Sequence, residues 1–95
     1  MAPKDVPRDK VFLIAYSADG NALERFEMSY DDYYEQDCQL IDSDEFRAQH
    51  KIRRVTGEIY DSSGVLQQKF ENHYDEAGAY SRGRGVHADG TVTEN

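Results

Sequence analysis

The chain has 95 residues, 38% of them hydrophobic and 32% charged, which is typical of one small folded domain and too apolar for a disordered chain. No apolar run approaches the roughly 18 residues of a membrane span, so we expect no membrane association. The net charge of −8 argues against non-specific attraction to nucleic acid or an anionic membrane. A single cysteine, Cys38, excludes an internal disulfide and a cysteine-based zinc finger.

Residues 1–9 mix two prolines with charges of both signs and lack the apolar segment of a secretory signal. We therefore predict a flexible N-terminal arm over 1–9, a single domain over 10–95, and a cytoplasmic protein. A lone cysteine suits the reducing environment of that compartment.

The first predicted strand covers 10–17, because six consecutive apolar residues are too few for a typical helix and include β-branched and aromatic types. Such a continuous run favours a strand buried on both faces. Asp19 and Gly20 then supply the positive φ angles of a tight turn. Alternating apolar residues over 22–30 predict a half-buried second strand, and the pair forms an N-terminal hairpin.

The apolar period then changes to that of a helix. Ser29 is a suitable N-cap with Asp32 three residues later. One helical stripe contains Tyr30, Tyr33, Tyr34, Cys38 and Ile41. We predict a helix near 30–40, and a second start at Ser43 predicts a short helical turn near 44–50.

The remaining chain predicts an antiparallel β-meander. Its strands are expected within 51–60, 65–74, 79–86 and 91–93, and the turns between them end at Gly64, Gly78 and Gly90. The fold class is therefore α+β: an N-terminal β-hairpin, one or two short helices, and a meander that completes a single small sheet covered on one face. We expect the helical stripe to pack against Phe12, Ile14, Phe26 and Ile59.

Charge is strongly segregated along the sequence. Residues 19–45 contain ten acidic residues and one basic residue, a net charge of −9, whereas residues 46–57 carry +4. We expect the basic residues of the second segment to pair with the acidic segment, within the chain or across a dimer. They are Arg47, Lys51, Arg53 and Arg54.

The acidic segment is a candidate surface for a basic partner protein. Neighbouring carboxylates on a helix lie about 5–6 Å apart and can copy the phosphates of nucleic acid, while part-exposed tyrosines add contact area. The candidate partner-binding residues are Glu24, Glu27, Asp31, Asp32, Tyr33, Tyr34, Glu35, Asp37, Asp42, Asp44 and Glu45. In size, charge and lack of a catalytic motif, the chain resembles small phage-encoded inhibitors that act as nucleic-acid mimics. The resemblance implies a nucleic-acid-handling protein partner, no direct nucleic-acid binding, and action in the host cytoplasm.

Two other interpretations stay open. The acidic residues also fit a solvated face that keeps a small domain soluble. Alternatively, a structural or assembly module would use tyrosine-rich and strand-edge contacts, including a glycine-loosened edge near Gly83 that can pair with a second copy. A homodimer is compatible with this second interpretation.

Catalytic chemistry has little support in the sequence. His50, His73 and His87 are 23 and 14 residues apart, without the spacing of metal ligands. Cys38 lies on the apolar helical stripe without a neighbouring histidine, and no glycine-rich loop is built to bind phosphate. We predict no catalytic residue, no metal ligand and no cofactor, and a protein that is not an enzyme.

Overall fold

The computed structural model describes residues 8–35 and 39–94, and only the backbone at Tyr34. Within these residues the strands are β1 (Lys10–Tyr16), β2 (Ala22–Ser29), β3 (Arg54–Tyr60), β4 (Leu66–Tyr74), β5 (Tyr80–His87) and β6 (Val92–Glu94), and the helices are α1 (Tyr30–Glu35), α2 (Gln39–Asp42) and α3 (Asp44–Gln49). The strands form one antiparallel sheet in the order β2-β1-β3-β4-β5-β6. This arrangement confirms the predicted α+β class, with its N-terminal hairpin, short helices and meander.

Helical structure is more divided than predicted, since the described residues contain three short helices in place of one or two. α1 ends at Glu35, and residues 36–38, which include Cys38 of the predicted stripe, lie outside the described residues. Ser43 separates α2 from α3 and caps α3, because its Oγ accepts a hydrogen bond from the backbone N–H of Phe46 at 3.1 Å. The predicted helix start at Ser43 is therefore confirmed.

Four turns of one type join strands at 17–21, 61–65, 75–79 and 87–91. In each, the first residue donates its backbone N–H to the carbonyl of the fifth and accepts from the N–H of the fourth, at 2.9–3.0 Å. The fourth residue is always glycine, with φ between 77° and 87°, where other residues are strained. Asp61 and Asp75 also accept two backbone N–H groups each through Oδ1, at 2.8–3.0 Å. The predicted turns are thus held by local chemistry.

The core lies between the helices and one side of the sheet, which we call the covered face. Side chains alternate along a strand, so every second residue of β1 and of β3 points into this core. Among the described residues, the hydrophobic side chains at most 1% exposed are Val11, Leu13, Ala15, Leu40, Ile52, Val55 and Ile59. Half-buried side chains that pack against them from the helical layer are Tyr30, Tyr33, Ile41 and Phe46.

The opposite side of the sheet, which we call the open face, has no described helix packed on it. Phe12, Ile14 and Tyr16 lie there, half-buried and alternating with the core residues of β1. The predictions that β1 is buried on both faces and that Phe12 and Ile14 pack against the helices are therefore wrong. The apolar run conceals an ordinary alternation, because its outward residues are apolar as well. Of the expected sheet contacts, Phe26 and Ile59 do lie with the core.

Arg47 of α3 is only 3% exposed and ties the helical layer to the sheet. Its Nε donates to the Gly78 carbonyl at 2.8 Å, and Nη1 donates to two carbonyls of α2 at 3.1 and 2.7 Å. The guanidinium lies 4.1 Å from the centre of the Tyr74 ring and pairs with Asp44. A buried charge needs such a full set of partners, so this side chain fixes α2, α3 and the turn before β5 together.

Candidate functional site

Ten of the eleven candidate partner-binding residues lie in the described part of the chain, on β2, α1, α2 and α3. Asp37 lies among residues 36–38, outside the described residues, and Tyr34 is described only by its backbone. The acidic segment is thus built from an edge strand and the helical layer that covers the sheet. Two connected parts of the fold carry nearly all of the candidate site.

α1 presents the densest group of carboxylates. Ser29 caps the helix, since its Oγ accepts a hydrogen bond from the Asp32 N–H at 3.0 Å, as its sequence predicts. Asp31, Asp32 and Glu35 are exposed, and two of them in the first turn suit the helix dipole. Tyr33 is half-buried and packs against the core. α1 therefore turns its tyrosine inward and its carboxylates outward.

The acidic residues of α2 and α3 divide into two kinds. Asp42 and Glu45 are exposed. Asp44 is exposed as well, but its carboxylate pairs with the buried guanidinium of Arg47 three residues later. Asp44 therefore belongs to the anchor of the helical layer, while Asp42 and Glu45 belong to its surface.

The two glutamates of β2 lie on opposite sides of the sheet. Glu24 is opposite Ala15 and shares the covered-face side, at the exposed edge strand. Glu27 is opposite Phe12, on the open face, and its carboxylate pairs with Lys10 at 3.3 Å. The structure thus separates Glu27 from the helical carboxylates with which the sequence groups it.

Four exposed carboxylates of the acidic segment, one on β2 and three on the helices, are not neutralised by the described basic residues. No described basic side chain lies within 4.0 Å of the carboxylates of Glu24, Asp31, Glu35 or Glu45. Exposed charges without partners remain available to a second molecule. The charges of these four carboxylates therefore stay uncompensated by the described residues.

The basic residues of 46–57 are mostly engaged elsewhere. Arg53 pairs with Glu76 at 3.3 Å, and Arg54 pairs with Glu71 at 3.6 Å. Of these four basic residues, Arg47 alone pairs with a described residue of the acidic segment, Asp44. The difference from the expected pairing follows from topology, because β3 starts at Arg54 and runs beside β4 rather than beside the helices.

The open face carries a second candidate surface that sequence reasoning missed. A cleft of about 500 Å³ is lined by Phe12, Ile14, Tyr16, Thr56, Gly57, Glu58, Tyr60 and Lys69. The Phe12 and Tyr60 rings meet edge to face at 6.0 Å, and the Arg54 guanidinium lies 4.2 Å from the centre of the Tyr16 ring. The signal in the sequence was present: alternate residues of the apolar run must point away from a single core.

Residues 8–35 and 39–94 place no three His, Cys, Asp or Glu side chains where they would hold a metal ion. His73 Nε2 lies 3.0 Å from Glu71 Oε2, and the His50 ring lies 4.3 Å from the Phe46 ring. Within those ranges, no helix has the length and apolar character needed to cross a membrane.

No family model matches the sequence, no curated protein matches it, and no solved structure matches it.

Proposed function

We propose that this chain is a non-enzymatic acidic binding protein that inhibits a nucleic-acid-handling protein by occupying its basic surface, as a nucleic-acid mimic does. The observation that carries the proposal is the set of exposed carboxylates with no described cationic partner, on β2, α1 and α3: Glu24, Asp31, Glu35 and Glu45. The chain itself does not bind nucleic acid. It acts in the cytoplasm, that of the host cell if it is phage-encoded.

Carboxylates at this spacing suit a surface that binds phosphates. Asp31 and Glu35 are four residues apart on α1, which places their Cβ atoms about 5–6 Å apart on one side of the helix. A concentrated negative field also speeds the encounter with a cationic protein. At physiological salt this field is screened beyond about 8 Å, so the association is expected to be salt-dependent.

The contacts of individual side chains refine the proposed binding set. Glu27 lies on the open face with Lys10, and Asp44 holds Arg47, so both are assigned to the fold. Tyr33 supports α1 from below. The proposed contact residues are therefore Glu24, Asp31, Asp32, Tyr34, Glu35, Asp37, Asp42 and Glu45.

The test is a variant that removes charge from α1 with little change in shape: Asp31→Asn, Asp32→Asn and Glu35→Gln together. Immobilised native protein should retain nucleic-acid-binding proteins from a cell lysate at low salt, and added duplex DNA should release them. Loss of three charges should reduce this retention about 10-fold or more, because each charged contact steers and holds the partner.

A matched control removes three charges elsewhere: Glu58→Gln, Glu76→Gln and Glu94→Gln, in β3, the 75–79 turn and β6. It should retain the same proteins as the native chain. Equal losses in both variants would mean that net charge alone matters, and the proposal of a specific surface would be wrong. Retention that high salt or duplex DNA does not reverse would also contradict it.

A second candidate function, a structural or assembly module, is favoured by one observation at the sheet edge. In the described chain β6 pairs only with residues 84–86 of β5, so 80–83 has no strand on that side. Tyr80 in this stretch is 46% exposed, and an open strand edge can pair with another chain. Light scattering that shows a defined oligomer, unchanged by salt and broken by Ser81→Pro, would favour this function over inhibition.

A further inference from the structure

The open face has an apolar patch on β1 and β3, the second and third strands of the sheet. Phe12, Ile14 and Tyr16 of β1 and Tyr60 of β3 are half-buried around the 500 Å³ cleft. A sheet face of this kind ordinarily packs against a second layer, and no described helix or strand of this chain supplies one. Something outside the described residues is therefore expected to cover it.

Charge on the open face differs from charge on the rest of the chain. By strand register its cations are Lys10, Arg25, Arg54, Lys69, Arg82 and Arg84, and its anions are Glu27, Glu58, Glu71 and Glu94. Six cations and four anions give +2 on a chain of −8, which leaves −10 for all other residues. Two copies that meet through this face therefore keep their acidic helical layers on opposite outer sides, where like charges repel least.

The mixture of positive and negative charges on the open face favours a second copy of the chain over nucleic acid as the binding partner. Carboxylates spread over four strands would each oppose a phosphate, which disfavours nucleic acid. An interface between two identical copies needs both signs on one surface, because each copy presents the same patch to the other. Arg25, Lys69 and Arg82 have no described carboxylate within 4.0 Å, so they are available to glutamates of a second copy.

Three ion pairs already form on the open face of the single chain. Lys10 pairs with Glu27, Arg54 pairs with Glu71, and Arg84 pairs with Glu94, at 3.3–3.6 Å. Arg54 is held further by the Tyr16 ring. Side chains that are ordered before association lose less conformational entropy when they become buried.

The area of the face is sufficient for a stable interface. Six strands at about 4.8 Å spacing, with an average length of seven residues at about 3.3 Å each, give a surface of roughly 29 by 23 Å. That is close to the about 800 Å² per partner that a standard interface buries, once the relief of the side chains is included.

We infer that the open face is a homodimer interface in which two copies pack their sheets face to face about a two-fold axis. The two sheets then lie about 10 Å apart with interdigitating side chains, as in a β-sandwich. The acidic helical layers become the two outer surfaces, which separates the like charges of the copies. This inference concerns the opposite side of the sheet from the acidic surface and does not depend on the proposed inhibitory function.

The experiment is sedimentation of the full chain from micromolar to millimolar concentration. The mass should rise from that of a monomer toward twice 10.9 kDa. Ile14→Lys places a charge at the centre of the face and should raise the dimer dissociation constant about 100-fold, because the ammonium group would be buried without a partner. Tyr16→Lys, in the cleft beside Arg54, should do the same and serves if the first variant does not fold.

The control is Val65→Lys, which makes the same kind of change at a 50% exposed residue of the 61–65 turn. It should dimerise like the native chain. A monomer at every concentration overturns the inference, as does a dimer that both face variants leave intact or that Val65→Lys breaks equally. The α1 charge variant should dimerise normally, so failure of the inhibitory function and failure of this interface give different results.

Discussion

The two faces of one sheet are built from the same strands but differ in what lies over them. On the covered face, Leu13 and Val55 are fully buried beneath the helices. On the open face, their chain neighbours Ile14 and Thr56 are half-buried among charged side chains. Apolar content alone therefore does not show how many sides of a strand belong to the core. One half of β1 stabilises the fold, and the other half is available for binding.

The largest expected loss of stability comes from substitution of Arg47, which holds the helical layer on the covered face. Arg47→Met keeps much of the side-chain volume but leaves the Gly78 carbonyl and two α2 carbonyls without their donor. We expect the free energy of unfolding to fall by about 3–5 kcal/mol, measured by urea denaturation. Arg53→Met is the control, because its pair with the exposed Glu76 is expected to contribute at most about 1 kcal/mol. Similar losses in the two variants would show that Arg47 is not the anchor described above.

A smaller loss of stability is expected from substitutions at Leu13 and Ile14, adjacent residues that point to opposite faces of the sheet. Leu13→Ala opens a cavity in the core and should lower the free energy of unfolding by about 2–5 kcal/mol. Ile14→Ala removes a half-buried side chain and should lower it by about 1 kcal/mol, while weakening the dimer. Denaturation of both variants at a concentration where the native chain is monomeric measures the difference. A cost for Ile14→Ala as large as that for Leu13→Ala would mean that both faces are covered within one chain.

The parts of this fold that the sequence predicts are those held by local chemistry. The turns at 61–65 and 75–79 follow from an aspartate that binds nearby N–H groups and a glycine that takes a positive φ. Helix starts at Ser29 and Ser43 follow from hydroxyls that accept the first free N–H groups. Each of these needs information from only four or five consecutive residues.

The parts that the sequence did not predict depend on contacts between distant residues. Burial of Arg47 needs the Gly78 carbonyl, 31 residues away, and no local sequence pattern predicts that contact. Alternate residues of β1 are buried because the helices cover only one face of the sheet, and the apolar run itself does not show this. The candidate site was predictable as a set of acidic residues, and the i, i+3 pair of Asp44 with Arg47 was within reach of sequence reasoning. Removal of Glu27 from that set required the sheet register.

The smallest expected effect concerns the pKa of two tyrosines, Tyr60 and Tyr74, one on each side of the sheet. Both hydroxyl groups have a pKa raised above the ordinary value of 10.0, but for different reasons. On the open face, the Tyr60 hydroxyl donates to the Glu58 carboxylate at 2.7 Å, and ionisation would remove this bond and place two negative charges together. On the covered side, burial of Tyr74 raises its pKa, partly offset by its bond with Asn72 and by the charge of Arg47.

The sign of the pH dependence follows from these shifts. A pKa that is higher in the folded than in the unfolded chain means that the protonated hydroxyl stabilises the fold. This stabilisation is fully present below pH 10, the unfolded value, and is lost as the pH rises through the folded value. Glu58→Gln should return the pKa of Tyr60 toward 10.0 and leave that of Tyr74 raised, as followed by the Cζ chemical shift of each ring. If the substitution lowers both values or neither, the hydrogen bond on the open face and the burial on the covered side are not the separate causes assigned to them.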